Sequence, residues 1–196
     1  MIAGSTEALL RGAADRALAY LADVDERPVR PESLRDNGSS GPLPETSTEP
    51  EVVLKLLDET VGPATVASMG PRFFGWVIGG SYPVALAADW LTAAWDQNTI
   101  FADATPGTAH IEATALRWVI EAAGLPSGAW GAFVTGTTVA NMAAMAAATT
   151  SVLADAGWDV VSDGLFGAPP VTVVVGEQAH ASLIKALGVI GLGRNR

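Results

Sequence analysis

The sequence of 196 residues lacks cysteine and contains only two lysines and two histidines. Without cysteine, neither a disulfide framework nor a thiolate zinc site is possible. Basic residues are also scarce, because 21 acidic residues against 11 basic ones give a net charge of −10. No basic cluster is present, so this balance argues against nucleic acid and anionic membranes as partners, and a small molecule is the expected partner.

Long apolar runs are missing as well. Hydrophobic residues make up 49% of the chain, yet charged residues interrupt every stretch that approaches membrane-spanning length. We therefore expect the excess apolar surface to lie in a subunit interface or against parts of the fold outside this chain. The first residues lack the basic start and apolar core of a secretory signal, so a cytoplasmic location is the default expectation.

Apolar residues recur at helical spacing in six segments and form two short continuous runs. The predicted helices are 6–24, 51–60, 84–97, 108–123, 138–155 and 180–188, and the predicted strands are 132–135 and 171–175. Between the first two helices, residues 26–50 are rich in proline, glycine, serine and charge, which predicts an extended connector. Strands alternating with helices after a helical N-terminal third indicate an α/β fold with a parallel sheet.

The first predicted strand ends in a turn suited to an anion. Gly136, Thr137 and Thr138 follow the apolar run and lead into a helical pattern. A strand delivered into a helix in this way aims unpaired backbone N–H groups and the positive end of the helix dipole at one point, where a phosphate can bind. The alternative for such a motif alone is an ordinary helix start with a threonine N-cap.

The second predicted strand leads to His180 at the start of another helix. Two neighbouring strand ends, one with an anion site and one with a flat histidine, suggest a site for a phosphorylated aromatic cofactor. A histidine that is simply hydrogen-bonded at a helix start is the alternative. Lys185 lies about 140° round the helix from His180, so we assign it a structural role. His110 and Glu112 lack a second pair of metal ligands, and we expect no metal site.

An aromatic loop follows Met69. It contains four aromatic residues among glycines and prolines, which is typical of neither a helix nor an alternating strand. Such a loop is more often a binding or interface surface than a connector. Its aromatic members are Phe73, Phe74, Trp76 and Tyr82, and the alternative is that they are ordinary core or interface residues.

From about residue 45 to the end, five short motifs resemble those of the group II pyridoxal-phosphate-dependent amino acid decarboxylases in their order and spacing. Gly70-Pro-Arg-Phe-Phe-Gly75 is similar to the family's His-Pro-Arg-Phe-Phe-Gly, with glycine in place of histidine. The other four are Ser81-Tyr-Pro with Leu86-Ala-Ala-Asp; Thr105-Pro to Trp118; Val134-Thr-Gly-Thr-Thr-Val-Ala-Asn141, in the place of Thr-Ser-Gly-Gly-Ser-Glu-Ala-Asn; and His180-Ala-Ser with Lys185-Ala. Thr137 and Val139 depart from that phosphate motif, which puts its turn geometry in question.

The resemblance implies an α/β protein of the fold type I class of pyridoxal-phosphate enzymes, the aspartate aminotransferase superfamily. Residues 1–60 would be a helical arm and connector, and 61–196 the start of the large parallel-sheet domain. The implied cofactor is pyridoxal 5'-phosphate, bound by Gly136, Thr137 and Thr138, with His180 as the catalytic residue that stacks on its ring. Trp76 is the implied substrate contact. The implied activity is decarboxylation of an L-amino acid by a homodimer.

In the resembled family, the Schiff-base lysine and the aspartate that pairs with the pyridine nitrogen lie well beyond the histidine motif. The resemblance therefore implies an N-terminal portion of a longer enzyme, inactive alone. Two alternatives remain open: another fold type I enzyme such as an aminotransferase, since the fold does not determine the chemistry, and a non-catalytic assembly fragment that binds a partner chain.

Overall fold

The computed structural model describes residues 2–31 and 41–195, with side chains from residue 5 onward. Within these ranges the chain forms seven α-helices and one 3-10 helix. It divides into two compact units, residues 1–96 and 97–196. None of the described helices is both long and apolar enough to cross a lipid bilayer.

The first unit contains three helices: α1 (Ile2–Asp23), α2 (Pro50–Val61) with the 3-10 helix Gly62–Ala64 directly after it, and α3 (Pro83–Trp95). Helix α1 packs against α2, and Arg16 joins them. Its guanidinium lies 2.5 Å from a carboxylate oxygen of Glu51 and 3.6 Å from one of Asp58. The hydrogen bond to Glu51 raises the pKa of Arg16 above its ordinary value, and the charge of Asp58 adds to the effect. Of the predicted connector, residues 32–40 lie outside the described ranges.

Arg27 attaches the segment after α1 to the 3-10 helix. Its guanidinium donates a hydrogen bond to the carbonyl oxygen of Gly62 (2.7 Å) and lies 4.5 Å from the centre of the Tyr20 ring, within cation–π range. Arg72, at the start of the aromatic loop, donates to the carbonyl oxygen of Arg27 at 2.8 Å. Two arginines thus connect the end of α1 with both the 3-10 helix and the loop.

Gly70 allows the loop to approach the backbone of the segment that follows α1 in the sequence. A Cβ atom at this position would lie 2.9 Å from the carbonyl oxygen of Val24 and 3.3 Å from that of Ala67. Carbonyl groups of the main chain cannot rotate away as a side chain would. The glycine found in place of the resembled family's histidine is therefore required by this close approach.

The aromatic loop has neither helix nor strand between Pro71 and Tyr82, as predicted. Trp76 and Val77 have φ angles of 54° and 53°, in the left-handed region that residues with side chains rarely adopt. Both side chains are exposed, with Trp76 at 83%. The loop therefore presents its tryptophan on the surface of the first unit.

The second unit contains α4 (Pro106–Ala122), α5 (Thr137–Asp155), α6 (Val160–Asp163) and α7 (Ala181–Val189). Helices α5 and α7 pack closely against each other. Leu153 of α5 and Ala186 and Leu187 of α7 are buried. This pair of helices forms the core that positions the candidate site.

The six predicted helices are confirmed to within a few residues. The two predicted strands are not formed, because residues 132–135 and 171–175 have no regular secondary structure. An apolar run favours an extended backbone, but a strand also needs a neighbour that completes its hydrogen-bond ladder, and none of the described segments supplies one. The parallel sheet expected from these runs is therefore absent from the described residues. Short helix α6 was not among the predicted helices, and Asp159 caps it by accepting hydrogen bonds from Val161 and Ser162.

Candidate cofactor site

The start of α5 leaves several backbone donors free of helical partners. Gly136 is the N-cap residue, and no side chain caps the helix. The first helical hydrogen bond runs from the N–H of Ala140 to the carbonyl oxygen of Gly136 at 3.0 Å. The N–H groups of Thr137, Thr138 and Val139 precede this bond and point out of the helix start, at the positive end of its dipole. An anion placed there would meet both donors and favourable charge.

The space in front of this helix start is open. Gly136 has φ 166° and ψ 168°, an extended conformation that any residue can adopt. A Cβ atom there would have no other atom within 4 Å. Neither backbone strain nor packing among the described residues therefore explains the glycine, whereas close approach of a ligand to the backbone would. Thr137, the next residue, is exposed, and Thr138 is half-buried.

His180 occupies the N-cap position of α7. Its Nδ1 atom accepts a hydrogen bond from the backbone N–H of Ser182 at 3.2 Å and lies 2.8 Å from the Ser182 hydroxyl oxygen. That hydroxyl in turn accepts a hydrogen bond from the side-chain amide of Asn141 at 2.9 Å. Asn141 is in the first turns of α5, so the two helix starts are joined by hydrogen bonds.

The structure thus brings together some of the residues predicted from the sequence and not others. Gly136, Thr137 and Thr138 form the start of α5, and His180 is connected to the same end of that helix through Asn141. Trp76 lies in the first unit. These two helix starts define a candidate site for a phosphorylated planar ligand.

Sequence reasoning assigned no role to Asn141 and Ser182, although both lie inside the motifs that it used. A signal was available for Asn141, because it is the one amide among the alanines and methionines that follow the two threonines of α5. Ser182 is 7% exposed and lies two residues after the histidine. At this spacing the backbone N–H of a residue in the first helical turn donates a hydrogen bond to the N-cap side chain.

The remaining candidates lie outside this junction. Lys185 is exposed on α7, and His110 and Glu112 are exposed on α4. Among residues 2–31 and 41–195, no three histidine, aspartate or glutamate side chains cluster closely enough to hold a metal ion.

Comparison with known proteins identifies the family. The pyridoxal-dependent decarboxylase conserved domain matches residues 31–194. The chain therefore belongs to the pyridoxal-dependent decarboxylase family. Its relatives include tryptophan decarboxylase 1 of Oryza sativa subsp. japonica, 26% identical over 96% of this chain, and an aromatic-L-amino-acid decarboxylase of Bacillus atrophaeus, 26% identical over 91% of it.

Solved structures share the fold. TDC of Oryza sativa, solved with PLP and tryptamine, is 25% identical and superimposes with a TM-score of 0.82 over 96% of this chain and 40% of its own. Mouse CSAD in its apo form is 22% identical, with a TM-score of 0.80 over 99% of this chain and 41% of its own, which shows the shared fold. The chain spans 39% of the rice relative's length and 36% of the bacterial one's.

Proposed function

We propose that this chain is the N-terminal part of a pyridoxal-phosphate-dependent enzyme that decarboxylates an L-amino acid. The observation that carries the proposal is the hydrogen-bonded junction between the uncapped start of α5 and His180, found in a chain of the pyridoxal-dependent decarboxylase family. The two curated relatives named above are both called decarboxylases, which favours this reaction over transamination and over a purely structural fragment.

In this proposal the cofactor phosphate binds at Gly136, Thr137 and Thr138. The open space before Gly136 admits the phosphate to the backbone, and the free N–H groups of the first turn donate to its oxygens. When bound, the cofactor withdraws the electrons that remain on the substrate's α-carbon as carbon dioxide leaves. His180 holds the ring plane from one side, which fixes the orientation of the reacting group.

Trp76 is the proposed substrate contact. Trp76 and its neighbour Val77 both have left-handed backbone angles, and the Trp76 side chain is exposed. Strained, exposed aromatic residues of this kind are found where a ligand or partner contributes to their stability.

We further propose that residues 132–135 and 171–175 become strands of a parallel sheet in the complete enzyme, with 1–60 as its helical arm and 61–196 as the start of its large domain. A cytoplasmic homodimer would cover the apolar groove that α1, Met69 and α3 form in the first unit. That groove is lined by Leu18, Leu21, Met69, Pro83, Leu86 and Trp90. An exposed apolar groove is favourable only when another surface covers it.

A charge introduced at the helix start tests the phosphate site. In the full enzyme that contains this chain, we expect Thr138→Glu to weaken binding of pyridoxal 5'-phosphate about tenfold or more, because its carboxylate repels the phosphate at close range. Binding would be measured by the absorbance of the bound cofactor during titration. The matched control is Thr150→Glu on the same helix, about 18 Å further along at 1.5 Å per residue. Equal affinities of the two variants would contradict the phosphate assignment.

A further inference from the structure

Asn141, Ser182 and His180 form a one-directional relay of hydrogen bonds between α5 and α7. We propose that Asn141 and Ser182 are positioning residues, which hold the His180 ring in one orientation and in one tautomer. In this tautomer Nδ1 is unprotonated and Nε2 carries the proton. The inference rests on the proposed function, in which His180 faces the cofactor.

The backbone N–H and the hydroxyl of Ser182 together determine the tautomer of His180. A backbone N–H group can only donate, and that of Ser182 is directed at Nδ1 of His180 at 3.2 Å. Nδ1 must therefore accept, and the single proton of the neutral ring lies on Nε2. The Ser182 hydroxyl oxygen, 2.8 Å from the same nitrogen, must donate to it as well.

Asn141 directs the Ser182 hydroxyl. Its side-chain N–H donates to the hydroxyl oxygen at 2.9 Å. With a donor already on the oxygen, the hydroxyl hydrogen is directed toward the remaining acceptor, which is His180. Hydrogen bonds arranged in one direction polarise and strengthen one another.

The helix pair holds the relay and shields its middle member, Ser182, from water. Ser182 is 7% exposed and Ala186, one turn further along α7, is fully buried. Asn141 and Ser182 are 41 residues apart in sequence but are fixed by the packing of α5 against α7. His180 itself is exposed, so its Nε2–H is the hydrogen-bond donor that the relay presents to a ligand.

The tautomer can be measured directly in this chain by ¹⁵N NMR of its histidine rings. The only two histidines are His110 and His180, and exposed His110 serves as an internal reference. The spectra would be recorded in mildly alkaline buffer, which favours the neutral form of histidine rings in general. We expect His180 to show separate shifts for a bare Nδ1 and a protonated Nε2, whereas His110 shows the averaged shifts of two exchanging tautomers.

Removing either positioning residue should weaken the preference for one tautomer, while the backbone N–H of residue 182 still donates to Nδ1. In Ser182→Ala and in Asn141→Leu, we expect the His180 shifts to move toward those of His110, with the larger movement in Ser182→Ala because it deletes a direct partner. Ser182→Thr retains the hydroxyl and should restore the original shifts. The control is Thr149→Val, which alters a buried polar residue of α5 about two turns from Asn141.

The wild-type spectrum alone can overturn the inference, even where a variant fails to fold. Averaged shifts or a protonated Nδ1 at His180 would do so, as would unchanged shifts in folded Ser182→Ala. A movement of equal size in Thr149→Val would show general loosening and would also count against it. These results do not depend on cofactor binding, whereas failure of the enzyme to bind pyridoxal 5'-phosphate would contradict the proposed function and leave the tautomer measurement standing.

Discussion

At the scale of single residues, glycines at two positions serve different purposes. Gly136 has an ordinary backbone conformation and open space where a side chain would lie, so nothing among the described residues requires a glycine there. Gly70 has the carbonyl oxygens of Val24 and Ala67 where a side chain would lie. The first glycine is a feature of the candidate site, and the second is a feature of packing.

This difference predicts the effect of a side chain at residue 70. We expect Gly70→Ala to lower the free energy of unfolding by about 1–3 kcal/mol, because its Cβ would force apart two main-chain segments. Gly70→His, which introduces the residue of the resembled family, should cost more. Urea unfolding of both variants would measure the loss.

The matched control is Gly79→Ala in the same loop, where a Cβ would have no atom within 4 Å. That variant should unfold at nearly the wild-type urea concentration. Equal losses at residues 70 and 79 would show that Gly70 does not hold the loop close to the segment after α1.

At the scale of elements, short helix α6 depends on its cap. The Asp159 carboxylate accepts hydrogen bonds from the Ser162 hydroxyl at 2.7 Å, the Ser162 N–H at 3.3 Å and the Val161 N–H at 3.1 Å. The hydroxyl bond contributes most to lowering the pKa of Asp159, and the backbone bonds add to it. A four-residue helix has few hydrogen bonds of its own, so we expect it to be lost when this cap is lost.

The sign of the pH dependence follows from the lowered pKa. The cap's contribution is present above the ordinary aspartate pKa of about 3.9 and is lost as pH falls through the lower pKa of the folded protein. We expect the amide proton shifts of Val161 and Ser162 to titrate together in that acidic range. In Asp159→Asn the side chain still caps the helix but no longer titrates, so both amide shifts should stay constant. Titration of these amides in the asparagine variant would assign the effect to another group.

At the scale of the whole molecule, much apolar surface remains uncovered. Phe74, Trp130, Phe166 and Val174 are each at least 90% exposed. Phe74 lies in the first unit and the other three in the second, so each unit presents apolar surface of its own. Uncovered apolar surface of this kind drives association.

We therefore expect the 196-residue chain by itself to self-associate as its concentration rises and to release no carbon dioxide from L-amino acids. Lys55 is paired with Glu59 at 3.8 Å on α2, and Lys185 is exposed on α7, so neither lysine belongs to the junction of Asn141, Ser182 and His180. Sedimentation would measure the association. Borohydride reduction with pyridoxal 5'-phosphate, followed by peptide mapping, would detect any specific lysine adduct. A stable monomer with one labelled lysine and decarboxylase activity would overturn this expectation.

The sequence by itself predicted six of the seven α-helices of the described residues and indicated the helix start proposed as the cofactor site. Periodic apolar residues, glycine and proline act on their near neighbours, so contiguous residues suffice to predict six helices and the helix start at residues 136–138. The resemblance to the decarboxylase family likewise came from short ordered motifs, and the family match over residues 31–194 agrees with it.

Only the tertiary structure decided which distant segments meet. The prediction of strands at 132–135 and 171–175 was wrong for the described residues. A strand depends on a neighbouring strand that forms hydrogen bonds with it, and apolar content does not specify that neighbour. Sequence patterns also could not predict the approach of Gly70 to Val24 or the relay from Asn141 to His180. Both depend on side-chain and backbone atoms tens of residues apart, whose contact is determined by helix packing and not by local sequence.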